Sequence, residues 1–266
     1  MPEGDTLELI ARRLQPLVGG VPHIETPLAR HAPLRLAEQL AGQTLTAIEA
    51  RGKHLLIRFD SGLIIHTHLR MSGRWDIGAP GRPTRRSRTT AWLILKDDDL
   101  EAILVNGAVL ELLTPAQLSL HPSLRLLGPD VLAPDCDATA AAARARRGAP
   151  EQTVADVLLD QRVLAGVGNV WKSEILFDCQ LDPRTPAAAL DDAELSALLQ
   201  RASELMQAHV ASGATQRPVR IYGRGGRDCP VCGTVIRARA QGDEGRRTFW
   251  CPTCQPSRAA ASPKNA

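Results

Sequence analysis

Two pairs of cysteines near the end of the chain restrict its fold more than any other feature. Cys229 and Cys232 flank Pro-Val, Cys251 and Cys254 flank Pro-Thr, and 18 residues, 233 to 250, separate the pairs. Two intervening residues let both thiolates of a pair reach one tetrahedral ion, and this spacing is typical of zinc sites. We predict one structural Zn²⁺ bound by all four thiolates, with a β-hairpin between the pairs. The alternative is four buried cysteines without a metal.

A four-thiolate site leaves no coordination position for water or substrate, so any chemistry must lie elsewhere in the chain. The remaining cysteines, Cys136 and Cys179, are isolated, and we interpret them as small buried apolar residues. The opening MPEGDTLELI lacks the basic and apolar regions of a signal peptide, and no run of about 18 apolar residues follows. We therefore expect a soluble, non-exported cytoplasmic protein without a membrane segment.

The positive charge of the chain is concentrated toward its end. The formal net charge is +3 over 266 residues, but nine arginines between Arg217 and Arg258 face only three acidic residues, a local excess of nine minus three, or +6. A basic block of this kind suits binding of a polyanion such as nucleic acid. The alternative is a set of solvated surface arginines.

The hydrophobic pattern changes twice along the chain. A short amphipathic helix with Asp5 or Thr6 as its cap opens the sequence, and its apolar face is formed by Leu7, Ile10, Ala11 and Leu14. Between about Gln43 and Leu113 the pattern predicts an antiparallel two-layer β-sandwich, from the segments LTAIEA, HLLIRF, GLIIHTHL, TAWLIL and EAILV. Pro115 to Pro134 is interpreted as a connection with short turns.

The third region is helical in composition and period. Its segments are ATAAAARARR, VADVLLDQRVL, VWKSEILFDCQ and ALDDAELSALLQRASELMQAHV. Within it, Gly166 and Gly168 precede Asn169, a candidate helix cap, and a glycine-rich turn before a helix offers N–H donors to a phosphate. An ordinary connection between helices is the alternative.

The first residues are candidates for covalent chemistry. Removal of Met1 would leave Pro2 as a secondary amine with a pKa of about 8, of which roughly a tenth is neutral at pH 7. Glu3 beside it can donate or accept the proton that a Schiff-base cycle requires. Lys53 stands at a strand edge after Gly52. Taken alone, these residues also fit a hydrophilic start and a surface lysine.

Five motifs, in order, resemble the formamidopyrimidine-DNA glycosylase and endonuclease VIII family. They are PEG at 2–4, RGKHLL at 51–56, HLRMSG at 68–73, LLDQRVLAGVGNVWKSEILF at 158–177 and GRRTFWCPTCQ at 245–255. Gly4 is more similar to the endonuclease VIII branch. The resemblance implies an α+β fold with damaged DNA bound between two domains. The fold comprises a β-sandwich domain with a flanking helix (1–126), a helical domain with a helix-two-turn-helix element (127–222) and a zinc-finger hairpin (223–257). The last residues, 258–266, are too small and polar to pack, and we predict a disordered tail.

The resemblance also implies an activity, that of a bifunctional DNA glycosylase and abasic-site lyase. Such an enzyme removes oxidised bases, here preferably pyrimidines, from double-stranded DNA, and works as a monomer. The Pro2 amine attacks C1′, Glu3 acts on the ring oxygen of the sugar, and β- then δ-elimination breaks the strand. The alternative is a non-catalytic damaged-DNA-binding protein on the same scaffold.

Residue roles follow from the matched motifs. Lys53 would contact phosphate or sugar at the lesion, and Asn169 and Arg246 would hold flanking phosphates, with Arg246 preferred over Arg247 because it lies five residues before Cys251. Met71 is the candidate wedge for the space left by the extruded base, and Arg70 is a second candidate. The formamidopyrimidine branch adds wedge residues from a DPRRFG-like loop, but the corresponding stretch here, 106–112, reads NGAVLEL and predicts that this loop cannot act in the same way.

Overall fold

A computed structural model describes residues 2–81, 88–149, 151–241 and 245–257 of the chain. The predicted disordered tail, 258–266, lies outside the described residues. The chain divides into two compact units, Met1–Arg125 and Leu126–Ala266. Among the described residues, no helix combines the length and apolar character that crossing a bilayer requires.

The first unit contains eight described strands and three described α-helices. In chain order they are α1 (Gly4–Leu14), β1 (His23–Glu25), α2 (Leu36–Gln39), β2 (Leu45–Arg51), β3 (His54–Phe59), β4 (Ile64–His68), β5 (Arg74–Gly78), β6 (Ala91–Lys96), β7 (Glu101–Val105), β8 (Val109–Leu113) and α3 (Pro115–Leu120).

The strands of this unit form two antiparallel sheets, in the orders β1-β6-β7-β5 and β2-β3-β4-β8. Alternate residues of each sheet point inward, among them Leu55 and Ile65 from one sheet and Leu93 and Leu104 from the other, and all four are fully buried in one core. The predicted two-layer sandwich is confirmed. β1, β5 and β8 were not among the predicted segments, because each is short and carries polar residues between its apolar ones.

α1 lies against this sandwich, contacting β2 and β3, and buries Leu7 and Leu14 completely. The predicted cap, Asp5 or Thr6, is wrong: the helix begins at Gly4, and Glu3 is the N-cap. The Glu3 N–H donates to the Thr6 hydroxyl over 3.3 Å, so Thr6 supports the helix start from its first turn. The predicted connection from Pro115 to Pro134 is wrong for its first six residues, which form α3, where the Thr114 side chain accepts a hydrogen bond from the Gln117 N–H.

The second unit contains four described α-helices and a two-stranded sheet. They are α4 (Ala138–Ala145), α5 (Val154–Leu159), α6 (Asn169–Asp178), α7 (Asp192–Ala211), β9 (Arg237–Gln241) and β10 (Arg246–Trp250). The segment VADVLLDQRVL is helical only to Leu159, because Asp160 takes an extended conformation and ends α5. β9 and β10 pair antiparallel as the predicted hairpin between the cysteine pairs.

Candidate functional site

Pro2 and Glu3 stand at the start of α1. Pro2 is half-buried, and the Glu3 side chain is completely buried where the chain enters the helix. The positive end of a helix dipole favours a carboxylate beside it and disfavours a protonated amine. The local structure therefore places a carboxylate next to the residue predicted as nucleophile, at a point that favours the neutral amine.

Lys53 occupies the tight turn between β2 and β3, the two strands on which α1 packs. Gly52 precedes it with a φ of +59°, a left-handed conformation that glycine adopts without strain. The turn leaves Lys53 half-buried at the edge of the sheet, as predicted from its position after Gly52.

The predicted wedge residues lie in the turn between β4 and β5. Met71 is 72% exposed, and Arg70 beside it is exposed with a φ of +48°. The turn is tightly closed: the Gly73 N–H donates to the Leu69 carbonyl, and a Cβ atom at Gly73 would lie 2.6 Å from that oxygen. The Met71 side chain therefore points into solvent from a turn whose backbone is held in place by this hydrogen bond. An apolar side chain presented in this way suits a wedge residue.

The connection between β7 and β8 spans only 106–108 and packs beside that turn. The Ala108 N–H donates to the His68 carbonyl over 2.8 Å, and Asn106 adopts a φ of +51°. Val109, which follows, already belongs to β8. A connection of three residues is too short to project two long side chains, so its geometry accords with the interpretation of NGAVLEL.

The start of α6 differs from the prediction. Gly168 is the N-cap and Asn169 is the first helical residue, so Asn169 is not a cap. Its side chain is buried and bridges to β10, because Nδ2 donates to the Arg247 carbonyl over 2.9 Å. The preceding turn is held by Gln161, whose Oε1 accepts from the Gly166 N–H at 3.0 Å.

A buried ammonium group joins α6 to β10. Lys172 is 1% exposed, and its Nζ donates to Asn169 Oδ1 at 2.6 Å and to Thr248 Oγ1 at 2.7 Å. Because side chains alternate along a strand, Arg246 shares the Thr248 side of β10, whereas Arg247 points to the opposite side. Arg246 therefore lies on the strand face that meets the start of α6, which favours it over Arg247.

Three further side chains fix the hairpin module to the helices. The Glu174 carboxylate accepts the backbone N–H groups of residues 220, 221 and 222 at 2.8 to 3.0 Å. The Gln241 amide donates to the Thr153 hydroxyl, and the buried Gln255 amide donates to the Leu181 carbonyl, each over 2.9 Å. The hairpin is thus held at its entry, at its first strand and after its last cysteine.

The four predicted ligands converge at one point. The Sγ atoms of Cys229 and Cys254 lie 3.8 Å apart, those of Cys232 and Cys251 3.4 Å, and those of Cys232 and Cys254 3.5 Å. Four sulfurs about 2.3 Å from one tetrahedral ion would be separated by about 3.8 Å. Hydrogen bonding by Thr234 lowers the pKa of the Cys232 thiol to about 6, whereas burial raises the pKa of the Cys251 and Cys254 thiols, so an ion bound there would displace their protons. The set fits a metal ion.

Four of the seven histidines of the chain gather on one face of the β2-β3-β4-β8 sheet. His54 Nδ1 lies 2.8 Å from His66 Nε2, His66 Nδ1 lies 3.0 Å from Glu111 Oε2, and the His121 Nε2 approaches the same oxygen at 3.2 Å. The His68 ring packs edge-on against His54. Burial lowers the pKa of His54 to about 2 and that of His68 to about 4, so both rings are neutral near pH 7.

Comparison with known proteins identifies the family to which the chain belongs. The formamidopyrimidine-DNA glycosylase N-terminal domain matches residues 1–106, and the formamidopyrimidine-DNA glycosylase H2TH domain matches residues 127–219. A protein of Streptomyces coelicolor named probable endonuclease 8 2 is 37% identical to this chain, over 96% of the chain and 94% of the relative. The chain belongs to the formamidopyrimidine-DNA glycosylase and endonuclease VIII family.

Further relatives agree with the predicted branch of the family. The protein of Mycolicibacterium smegmatis named DNA-(apurinic or apyrimidinic site) lyase Nei2 is 34% identical over 96% of this chain and 99% of its own length. Among solved structures, Lactococcus lactis formamidopyrimidine-DNA glycosylase bound to DNA with an abasic site superimposes with a TM-score of 0.80. Its sequence is 24% identical over 96% of this chain and 100% of that chain, and the likeness shows the fold.

Several residues of this family member were missed as site residues at the sequence level. Lys172 and Glu174 lie within a motif that carries the resemblance, but they were not predicted to be buried. Their signal is their position in a helix whose residues from Asn169 to Phe177 are all buried, since a charged residue inside such a helix needs a partner. For the histidine cluster, the signal is the alternation of side chains along a strand. Because His66 and His68 are two residues apart in β4, they lie on the same face of the sheet.

Proposed function

We propose that this protein is a base-excision-repair DNA glycosylase with abasic-site lyase activity, acting on oxidised bases and preferably on oxidised pyrimidines. The observation that carries the proposal is the match, along nearly the whole chain, to relatives named endonuclease 8 and abasic-site lyase. The Pro2-Glu3 pair at the start of α1 supports the chemistry, because it supplies an amine and a carboxylate side by side.

Pro2 is the proposed nucleophile, once Met1 has been removed. Its neutral amine attacks C1′ of the damaged nucleotide, the glycosidic bond breaks, and the departing base takes up a proton. Glu3 protonates the ring oxygen as the sugar opens, which leaves an iminium between the proline nitrogen and C1′. This cation acidifies the C2′ protons, so loss of one expels the 3′ phosphate, and a second elimination expels the 5′ phosphate.

Residues of the first unit are proposed to hold the lesion. Lys53, at the β2–β3 turn, supplies a cation for the sugar or phosphate at the reacting nucleotide. Met71 fills the stack after the base leaves, and Arg70 supports it with a planar group that can stack on a base or bond its edge. Met71 suits this role because its large apolar side chain is 72% exposed in a closed turn.

Residues of the second unit are proposed to bind flanking phosphates. The Arg246 guanidinium group, on the face of β10 that meets α6, can bind a phosphate through two N–H groups at once. Asn169 keeps one amide hydrogen on the Arg247 carbonyl, and an amide nitrogen carries two, so it can bond β10 and a phosphate together. We propose Zn²⁺ as the ion held by Cys229, Cys232, Cys251 and Cys254. Bound there, it supplies rigidity to the hairpin and takes no part in the reaction.

The physiological substrate is proposed to be double-stranded DNA, bound by one protein molecule in the cytoplasm at the nucleoid. Electrostatic contacts to several phosphates predict that binding weakens steeply as salt concentration rises. Binding measured between about 50 and 200 mM salt tests this. A flat response would contradict the assignment of arginine and lysine to phosphate contacts.

Borohydride trapping on an oligonucleotide with one abasic site tests the mechanism. An imine between Pro2 and the sugar is reduced to a stable covalent adduct, which mass spectrometry locates on the N-terminal peptide. The decisive control is unprocessed protein in which Met1 still precedes Pro2, so that the Pro2 nitrogen lies in a peptide bond. Trapping on the N-terminal peptide of the processed protein supports the proposal, and trapping that survives the block overturns the role of Pro2.

Glu3 has its own test. Glu3→Gln removes the proton but keeps the shape, so removal of a damaged base should fall far more than cleavage of a pre-formed abasic site, whose sugar already opens to the aldehyde. The matched control is Glu8→Gln on the same helix, where the carboxylate pairs with Arg12 at the surface. Equal loss on both substrates would contradict the assigned role of Glu3.

A further inference from the structure

A second set of metal-ligating atoms lies outside the cysteine module. His66 Nδ1, a Glu111 carboxylate oxygen and a ring nitrogen of His121 all lie within 4.8 Å of one another. β4 and β8 supply the first two, which are directly paired across the strands, and the segment after α3 supplies the third. Three ligands from three parts of the chain therefore meet at one point of the β2-β3-β4-β8 sheet.

These side chains form a complete hydrogen-bond chain without an ion. Because a carboxylate only accepts, His66 Nδ1–H and His121 Nε2–H donate to Glu111 Oε2. The Nε2 of a neutral His66 ring is then an acceptor, so His54 Nδ1–H donates to it. His121 Nδ1 also accepts the Leu124 N–H, over a long 3.4 Å. Glu111 Oε2 thus faces two imidazole nitrogens at 3.0 and 3.2 Å, the arrangement from which two nitrogens and one oxygen can turn to a shared cation.

We propose that His66, Glu111 and His121 form a binding site for a divalent late first-row transition-metal ion. Nitrogen and oxygen ligands about 2.1 Å from one tetrahedral ion lie about 3.4 Å apart. Shifts of a few tenths of an ångström bring each nitrogen–oxygen pair to that separation, and side-chain rotation brings the two nitrogens, which lie within 4.8 Å of each other, to it as well. Two imidazoles select Zn²⁺, Co²⁺, Ni²⁺ or Cu²⁺ over Mg²⁺ and Ca²⁺, which prefer oxygen ligands.

The neighbouring groups provide the support that a metal ligand requires. When His66 binds through Nδ1, its ring proton moves to Nε2 and is donated to His54 Nδ1, which reverses that hydrogen bond without loss. When His121 binds through Nε2, its proton moves to Nδ1 and the long Leu124 contact is given up. His66 is 1% exposed whereas the Glu111 side chain is 41% exposed, so an ion can enter from the Glu111 side.

An ion bound by His66, Glu111 and His121 would have a structural consequence. Three protein ligands leave at least one position for water, so the site differs from the closed four-cysteine site. The ion would also fasten the segment that carries His121 onto β4 and β8. That segment holds only a short helix of six residues, and an ion bound by His121 would restrain it further.

The test measures metal content in the intact, zinc-loaded protein. Equilibrium dialysis against Ni²⁺, followed by elemental analysis, should give one Ni²⁺ for each protein while one Zn²⁺ is retained. Glu111→Gln and His121→Asn should each abolish Ni²⁺ uptake and leave the Zn²⁺ content unchanged. The control is His23→Gln, which removes a surface histidine that lies 3.2 Å from Glu25 without a second histidine, and it should bind as the unmodified protein does.

Imidazole ¹⁵N spectra provide a second readout that folding defects do not imitate. Addition of Zn²⁺ as a diamagnetic probe should move the His66 proton from Nδ1 to Nε2. Circular dichroism establishes that each variant is folded. Absence of Ni²⁺ uptake with unchanged His66 tautomer in the folded, unmodified protein would overturn the proposal and leave the cluster as a hydrogen-bond network. Uptake that survives both Glu111→Gln and His121→Asn would overturn it as well.

Discussion

The Lys172 ammonium group donates a hydrogen bond to the Thr248 hydroxyl over 2.7 Å, and this contact joins the first turn of α6 to the strand that carries Arg246. The same nitrogen holds Asn169 at 2.6 Å. The two residues assigned to phosphate binding in the second unit therefore share one buried support. A charge at 1% exposure is costly unless it is fully bonded, so this support is sensitive to substitution.

Lys172→Met should weaken both stability and DNA binding. Asn169 Oδ1 and the Thr248 hydroxyl would each lose a buried partner, at about 1 to 3 kcal/mol for an unsatisfied group. Urea unfolding measures the first effect and binding to abasic-site DNA the second. Lys96→Met is the control, because Lys96 forms a partly exposed pair with Glu25, and such pairs contribute about 1 kcal/mol or less. Equal effects of the two substitutions would contradict the role given to Lys172.

Met71→Ala should separate base excision from strand cleavage. Met71 is exposed, so the change leaves the free energy of unfolding within about 0.5 kcal/mol. Loss of the wedge raises the cost of extruding a base, and excision from duplex DNA should fall by about tenfold for each 1.4 kcal/mol lost. Cleavage of a single strand with an abasic site should be unchanged. Leu120→Ala, at 73% exposure, should change neither rate.

Stability should fall as the pH drops below about 6.5, the pKa of an unperturbed histidine. Burial lowers the pKa of His54 to about 2, so the unfolded chain takes up a proton that the folded protein does not. This residue alone contributes a loss of up to about 1.4 kcal/mol for each pH unit between these values. His54→Gln should reduce the slope of unfolding free energy between pH 7 and 5.5, and His23→Gln at the surface should not. Parallel slopes for all three proteins would contradict the shift.

Replacement of one zinc ligand should unfold the hairpin locally. Cys251→Ala leaves three thiolates, and loss of the ion removes the energy that orders residues 229–254. Hydrogen exchange should rise there and in β9 and β10, DNA binding should fall, and exchange in β3 and β4 should stay the same. Cys179→Ala is the control because Cys179 lies outside the cysteine cluster. A protected hairpin in metal-free Cys251→Ala would argue against a structural metal.

The local features of the fold were predictable from the sequence, and the non-local ones were not. The cysteine spacing and the alternation in HLLIRF each report on a few adjacent residues, so the hairpin and the sandwich followed directly. The meeting of His66 with Glu111 depends on how β4 pairs with β8. The alternation in each segment fixes which face is buried, but a shift of two residues would keep that face and separate the pair. The prediction that Asn169 caps α6 was wrong because glycine is also accepted at the N-cap. Gly168 occupies that position with an extended backbone, and Asn169 is the first residue of the helix.

Glu174 accepts three successive backbone N–H groups just before the hairpin module, and this determines how the module can be exchanged between proteins. A transplanted hairpin would keep its orientation only if residues 220–222 travelled with it and the recipient helix carried a carboxylate at the matching place. The boundary for such a chimera therefore lies before Arg220, nine residues ahead of Cys229, and a junction placed at the first cysteine would join two pieces that no longer share an anchor.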